Sequence, residues 1–385
     1  MRRKKIGIFT GYFLPHTGGV ERYVEKISAS LSKIGYDIVI VTSNHNNAQS
    51  YEKGEVYSIY RLPIFNLAKE RYPIPRINAE YEELISKIEK EKIDYFIVNT
   101  RFHLTSLIGA KIGKRNNKPV VLIEHGTDHF TVGNKILDFF GLIYEHILTG
   151  VIKKYVDKFY GVSKNSNIWS KHFSIEASGV FYNAISAGDR LAVKDYYKDI
   201  YLDDEIVITY AGRLIKEKGV LNLLEAFKRL DNGLKLRLVI AGDGELLEYI
   251  KRRYDEKNIS ILGRLDFSHV MALYKRTDIF VYPSLYPEGL PTSILEAGLM
   301  DCAIIATPRG GTEEVVMDTS HGIIIDGSVD SIYRAISAYI ADENSRRASA
   351  ANVRKRIEST FEWNTVAKQV DVALKHLSED RSNDK

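Results

Sequence analysis

The chain has 385 residues, more than one ordinary core holds, so two or three domains are expected. Hydrophobic residues make up 44% and charged residues 27%, which excludes a disordered or collagen-like chain. The net charge of +4, from 54 Lys and Arg against 50 Asp and Glu, calls for no nucleic acid partner.

The charge is unevenly spread. Residues 1–190 hold 27 basic and 19 acidic side chains, and residues 191–385 hold 27 basic and 31 acidic. A basic half joined to an acidic half suggests that one half faces an anionic partner. Cys302 is the only cysteine, so no intrachain disulfide framework or cysteine-based metal site is expected. No apolar run approaches the ~18–20 residues of a membrane span. The basic start, Met1 to Lys5, leads into a strand-length apolar stretch and is read as a first strand rather than a signal peptide.

In chain order, Lys5–Thr10 reads as a strand. Gly18-Gly19 follows, and then Val20, Val24, Ile27, Leu31 and Ile34 mark one face of a helix that Gly35 would cap. Further strands are expected at 37–41, 93–98, 119–123 and 158–162. After a polar stretch at 184–204 the theme restarts, with strands at 205–211, 235–241, 258–262, 278–282 and 302–306. Short apolar runs separated by helical patterns indicate parallel sheets with crossover helices. The fold class is therefore α/β, with two doubly wound domains and a hinge near 184–204. Ligands bind beyond the carboxyl ends of such strands, so two facing domains would place the site in the cleft between them. The segment Glu379–Lys385 reads as a solvated tail.

Five groups of residues carry candidate chemistry. In Tyr286-Pro-Glu-Gly-Leu-Pro-Thr-Ser-Ile-Leu-Glu-Ala-Gly298, Pro291 and the Ser293-x-x-Glu296 pattern predict a helix start. Amides near Gly289 and Leu290 would then offer an anion site, with Glu288 before the helix and Glu296 inside it. Alternatively, Glu296 merely caps its own helix. Arg213 and Lys218 lie between a strand and a helix, a fork and a point charge suited to a diphosphate, or else a solvated basic turn. Gly18-Gly19 allows close backbone approach at a helix start, but the G-x-G-x-x-G spacing is absent. His125 follows a strand in Glu124-His-Gly-Thr-Asp-His129, and Gly126 argues against a helical His125/His129 metal pair. Gly242-Asp-Gly244 and Gly263-Arg264-Leu265 are strand-end turns that could read a base through backbone groups, or ordinary turns.

Taken in order along nearly the whole chain, these pieces resemble the retaining glycosyltransferases of family 4, which have the GT-B fold. The carriers are Pro15-x-x-Gly-Gly19, His125-Gly126, Gly161-Val-Ser163, Gly212-Arg213 with Lys218-Gly219, Gly242-x-Gly244, Glu288 with Glu296, and Phe361-Glu-Trp-Asn364. The resemblance implies an acceptor-binding domain over 1–184, to which a crossover helix and tail over 365–385 return, the helix ending near Leu377, and a donor-binding domain over 185–364. It implies a sugar moved from a nucleotide-diphosphate sugar, UDP-linked first and GDP- or dTDP-linked as alternatives, to an acceptor hydroxyl. Catalytic roles would fall to His125, Glu288, Arg213 and Lys218. The donor would be held by Gly19, Arg213, Lys218, Gly242, Gly244, Arg264, Leu265, Glu288, Gly289, Leu290 and Glu296. The acceptor would meet His16, Gly18, His125 and Thr127. No cofactor and no metal are implied; the nearest Asp pair, Asp203-Asp204, falls in the expected hinge. The Glu-His-Gly-Thr stretch is similar to bacterial surface-polysaccharide transferases that extend lipid-linked glycans. A small soluble acceptor and a nucleotide-sugar epimerase are the alternatives.

A cytoplasmic protein is expected, peripheral at the inner face of the plasma membrane. The helical stretch Asn134–Tyr155 is rich in Ile136, Phe139, Phe140, Ile143, Tyr144 and Ile147. Two basic groups flank it, Lys111, Lys114, Arg115 and Lys118 before it, and Lys153, Lys154, Lys158 and Lys164 after it. That combination suits an anionic bilayer surface, or else a buried crossover helix with a solvated basic end.

Overall fold

A computed structural model describes residues 2–16, 18–45, 47–67, 72–131, 134–197, 205–230 and 233–383. Asp203-Asp204 and the last part of the expected hinge lie outside the described residues. The chain divides into two compact units, Met1–Tyr182 with Trp363–Lys385, and Asn183–Glu362.

Among the described residues, the first unit holds a nine-stranded sheet. Its strands are β1 (Lys5–Phe9), β2 (Asp37–Asn44), β3 (Tyr51–Lys53), β4 (Tyr57–Leu67), β5 (Tyr72–Pro75), β6 (Tyr95–Asn99), β7 (Val120–Glu124), β8 (Lys158–Gly161) and β9 (Gly179–Val180). The spatial order is β3-β4-β2-β1-β6-β7-β8-β9, with β5 on β4. All pairs are parallel except β3–β4 and β4–β5. The central strands are buried on both faces, as in the register Ile6↔Ile38 and Ile8↔Ile97. This is why they read as unbroken apolar runs.

The predicted first helix spans Gly19–Lys33 and buries Tyr23, Val24, Ile27 and Leu31. It ends as its sequence suggests. Gly35 adopts φ +106°, its N–H bonds Ser32 O at 3.1 Å, and the Tyr36 N–H bonds Leu31 O at 3.2 Å. These two bonds close a Schellman motif and satisfy terminal carbonyls.

The last helix runs Trp363–Asn383, well beyond the expected end near Leu377. The first part of the expected tail is thus helical. Arg381 anchors it with 2.7 Å contacts to both Asp157 carboxylate oxygens. At its start Trp363 packs edge-on against Tyr23, centroids 5.3 Å apart. The second departure is β3–β5, which fall between the expected strands at 37–41 and 93–98.

The second unit holds, among the described residues, six parallel strands: β10 (Ile206–Ala211), β11 (Leu236–Ala241), β12 (Ile259–Gly263), β13 (Ile279–Tyr282), β14 (Ala303–Ala306) and β15 (Ile323–Ile324). Their order is β12-β11-β10-β13-β14-β15. One core runs through Ile208, Tyr210, Leu238, Ile240, Ile279 and Val281. The order reverses between β10 and β13, so the crossovers leaving these strands diverge there and open a crevice at their carboxyl ends. In the first unit the corresponding reversal lies between β1 and β6. No helix among the described residues is long and apolar enough to cross a membrane.

Candidate active site

The second unit brings its charged candidates to its own reversal point. The turn after β10 carries Arg213 and Lys218, and the loop after β13 carries Glu288. Lys218 is buried and forms an ion pair with Glu288 Oε1. Tyr282, the last residue of β13, joins both groups. Its hydroxyl accepts from Lys218 Nζ at 2.9 Å and donates to Glu288 Oε1 at 2.9 Å. Ser284 donates to the same oxygen at 3.3 Å. Burial pushes the Lys218 pKa down, Glu288 pushes it back up, and the Arg213 charge lowers it further. Arg213 is exposed, with its guanidinium 5.0 Å from the Tyr286 ring centroid; Lys218 Nζ is 5.3 Å from the same ring. Two cations and one carboxylate thus converge on an aromatic floor.

Glycines build the turns around this cluster. Gly219 has φ +72°, and a Cβ there would lie 2.3 Å from Pro283 O. Gly242, at φ +149°, would place a Cβ 1.8 Å from Gly212 O, and its N–H bonds Gly263 O at 2.8 Å. Gly242 therefore locks the turns after β10, β11 and β12 together, and Gly244 packs likewise on Leu214 O. Arg264 is exposed and Leu265 half-buried in the turn after β12. The sheet order sets these turns on the β11–β12 side of β10, opposite the β13 loop that carries Glu288.

The helix after β13 spans Thr292–Leu299, with Pro291 at its N-cap and no side-chain cap. The expected Ser293–Glu296 capping box does not form, because the helix starts one residue before Ser293. Glu296 is instead buried in the second turn. The Gly311 N–H bonds Gly289 O at 2.7 Å, and Asn183 Nδ2 bonds Leu290 O at 2.9 Å, so the backbone carrying Glu288 is held from two sides.

In the first unit, His125 follows β7. Its Nε2 lies 2.9 Å from Asn99 Oδ1, while Asn99 Nδ2 donates to Phe9 O at 3.3 Å. The Asn99 oxygen therefore faces His125, whose Nε2 donates, leaving Nδ1 as the acceptor of a neutral ring. Loss of water pushes the His125 pKa down to about 4, against the pull of Glu124. Tyr23 packs edge-on against it at 4.9 Å. After β1, His16 stacks on Tyr12 with centroids 4.7 Å apart, and its Nδ1 lies 3.2 Å from Glu21. Gly18 is the N-cap of the first helix and Gly19 its first residue. A Cβ on Gly19 would meet nothing within 4 Å. Thr127 sits half-buried in the turn after His125.

Sequence reasoning missed a buried charge chain beside His125. Arg101 is 1% exposed and its guanidinium contacts Glu124 at 2.7 Å and Glu145 more closely still. Glu145 in turn lies 2.7 Å from His129 Nδ1. Glu124 Oε1 accepts the backbone N–H groups of His125, at 3.1 Å, and Gly126, at 2.9 Å. Burial alone works against charge on Glu124, but Arg101 and the Gly126 N–H hold its carboxyl below the usual range. The clue in the sequence was a carboxylate closing the apolar strand Val-Val-Leu-Ile-Glu. Tyr282, the polar end of a buried strand, and Ser284, two residues beyond it, were missed in the same way. Among the described residues, no group of three or more His, Cys, Asp or Glu is arranged to hold a metal ion.

Comparison with known proteins identifies the family. Residues 198–356 match the family model described as Glycosyl transferases group 1, and residues 17–186 match that described as Glycosyltransferase Family 4. An uncharacterised glycosyltransferase of Methanocaldococcus jannaschii is 30% identical over 98% of this chain and 100% of its own length. The chain belongs to glycosyltransferase family 4. As a family 4 enzyme it has the GT-B fold, with two Rossmann-like domains. Anabaena HepE, solved in complex with UDP-glucose, has a TM-score of 0.72 at 16% identity, covering 97% of this chain and 100% of that one. At that identity the likeness shows the fold alone. A relative from Campylobacter jejuni is 24% identical over 89% of this chain and 90% of its own. It is named GalNAc-alpha-(1->4)-GalNAc-alpha-(1->3)-diNAcBac-PP-undecaprenol alpha-1,4-N-acetyl-D-galactosaminyltransferase.

Replacing Arg101 tests the buried chain in this family 4 enzyme. Arg101→Met leaves Glu124 and Glu145 buried without their cation, which costs roughly 3–5 kcal/mol. Urea unfolding of the variant should show a loss of that order. A loss below about 1 kcal/mol means that the carboxylates find other partners.

Proposed function

We propose that this glycosyltransferase moves a sugar, with retention, from a nucleotide-diphosphate sugar to a hydroxyl of a lipid-linked glycan in cell-surface polysaccharide synthesis. The observation that carries the donor reading is the convergence of Arg213, Lys218 and Glu288 at the reversal point of the second sheet. The lipid-linked acceptor rests on the name of the Campylobacter jejuni relative. UDP is taken first among donor nucleotides, the nucleotide of the HepE complex, with GDP and dTDP as alternatives.

The chemistry follows from charge. Breaking the bond between the anomeric carbon and the phosphate oxygen leaves the electron pair on the diphosphate. Arg213, Lys218 and the amides that open helix Thr292–Leu299 stabilise that charge. The acceptor oxygen forms the new bond on the same face, and its proton passes to the leaving phosphate oxygen. Glu288 and Glu296 bind sugar and ribose hydroxyls. The Gly289 and Leu290 amides, Gly19, and the turns at Gly242, Gly244, Arg264 and Leu265 complete the donor contacts. His16, Gly18, His125 and Thr127 contact the acceptor side. A neutral His125 suits contact with the sugar, since it adds no charge to repel a cation-like transition state. No cofactor and no metal enter this reading.

A donor screen for nucleotide release, with and without a lipid-linked acceptor, tests the activity. Arg213→Ala and Lys218→Ala should each lower transfer roughly 10- to 150-fold, the worth of one charge-assisted contact. Transfer within twofold of wild type in both variants rejects the assignment. In the same assay, EDTA should leave turnover unchanged. Loss of activity restored by manganese or magnesium would show that the diphosphate is held by an ion.

We place the enzyme at an anionic membrane surface on the cytoplasmic side. Helix Lys135–Ile152 supports this. Ile136, Phe139, Phe140, Ile143 and Ile147 share one of its faces and are 70%, 60%, 61%, 39% and 64% exposed. Its buried face is Glu145, Leu148, Thr149 and Ile152. The flanking basic groups are partly engaged within the protein: Lys153 donates to Phe173 O and Ser174 O, and Arg115 pairs with Glu89. Adhesion therefore depends on the apolar stripe more than on the lysines. Wild type should co-sediment with phosphatidylglycerol vesicles, while Phe139→Ser with Phe140→Ser should bind at least tenfold more weakly. No binding by wild type at low salt ends the membrane reading.

A further inference from the structure

We propose that Tyr282 is a positioning residue that sets how tightly Glu288 holds Lys218, and so how much of the Lys218 charge is offered to an incoming diphosphate. This rests on the assignment of Lys218 and Glu288 to donor binding. Lys218 and Glu288 sit in loops, but Tyr282 belongs to the sheet. Its backbone pairs in register with Ala306, its carbonyl accepts the Thr307 N–H at 3.2 Å, and its ring is buried 6.2 Å from that of Phe280. The hydroxyl is thus a sheet-anchored point between two charges carried by the flanking loops.

One oxygen, Glu288 Oε1, takes hydrogen bonds from Lys218, Tyr282 and Ser284. The three donors share its negative charge, so none holds it fully. A diphosphate arriving at Lys218 must draw the ammonium away from this oxygen. Tyr282 and Ser284 keep the carboxylate satisfied and in place when that happens, ready for a sugar hydroxyl. Without the Tyr282 hydroxyl, Glu288 leans more heavily on Lys218 and competes harder with the phosphate. The effect of Tyr282 on diphosphate binding therefore passes through the Glu288 charge. A tyrosine that only packs has no such dependence. Tyr210, on the neighbouring strand β10, bonds the Arg213 carbonyl at 2.8 Å and is not among the donors to Glu288 Oε1, so it is the comparison.

A double-mutant cycle on the full chain separates the two. The probe is whichever of UDP, GDP and dTDP binds wild type, followed by calorimetry. Tyr282→Phe should weaken its binding about fivefold, within the range of one hydrogen bond. Glu288→Gln should tighten binding severalfold by releasing Lys218, while lowering transfer from the intact sugar donor. In the Glu288→Gln background, Tyr282→Phe should change binding less than twofold. Tyr210→Phe should have equal effects in both backgrounds. Equal losses from Tyr282→Phe in both backgrounds, or no loss in either, overturn the proposal. If Lys218→Ala and Glu288→Gln both bind the nucleotide as wild type does, the donor-site assignment itself fails. Loss in Lys218→Ala with an unaffected Tyr282→Phe sinks only the role of Tyr282. Circular dichroism checks folding, and if Tyr282→Phe does not fold, Ser284→Ala enters the same cycle with the same expected outcomes.

Discussion

Parallel strand pairing is the constraint on which everything else rests. A parallel pair cannot close with a tight turn, so each strand must be followed by a crossover of a dozen or more residues. Every carboxyl end in a parallel sheet then lies on one edge, and in the second unit each loop there leads into a helix. In the second unit that edge collects Arg213, Lys218, Gly242, Arg264 and Glu288 from four separate strands. In the first it collects His16, Asn99 and His125 from three. The chain needs no further device to assemble distant residues, because the sheet order does it.

Each unit also buries charge at that edge, and the two do so differently. In the first, Arg101 lies between Glu124 and Glu145, enclosed by protein and by the Phe173 ring 4.0 Å away. Such a group is costly to leave half-made, so it holds one arrangement. It fixes the backbone under His125 through two N–H groups. In the second, the Lys218–Glu288 pair borders an exposed arginine and an open loop. There Glu288 Oε1 is shared among Lys218, Tyr282 and Ser284. An enclosed network supports the histidine turn, and one bordering exposed residues lies where the proposed donor anion would bind.

The fold was legible wherever strands are buried on both faces, since nothing but apolar side chains fits there. Strands 205–211 and 235–241 were expected within a residue of β10 and β11. The strands β4 and β5 were not, because Pro63, Pro73, Pro75 and Arg61 break the apolar signal near an antiparallel edge. The charge at Glu379 to Arg381 suggested solvent, yet Arg381 reaches Asp157, a partner that composition cannot show. Among the candidate residues, the motif spacing marked Lys218 and Glu288 separately. Their pairing across 70 residues follows from the β10–β13 adjacency and not from any local pattern. Arg101 carried no mark at all, because its value lies in two carboxylates found 23 and 44 positions away.

The division of the chain has a consequence for its synthesis. Most of the first unit precedes the second in the sequence, but it is finished by helix Trp363–Asn383, which supplies Trp363 against Tyr23 and Arg381 against Asp157. A ribosome releases residues in order, and domains tend to fold as they emerge. The second unit, Asn183–Glu362, is therefore complete while the first still lacks a helix. During that interval the ring of Tyr23 and the carboxylate of Asp157 wait for partners not yet translated. Of the two units, the one whose residues come earlier is the later to be complete.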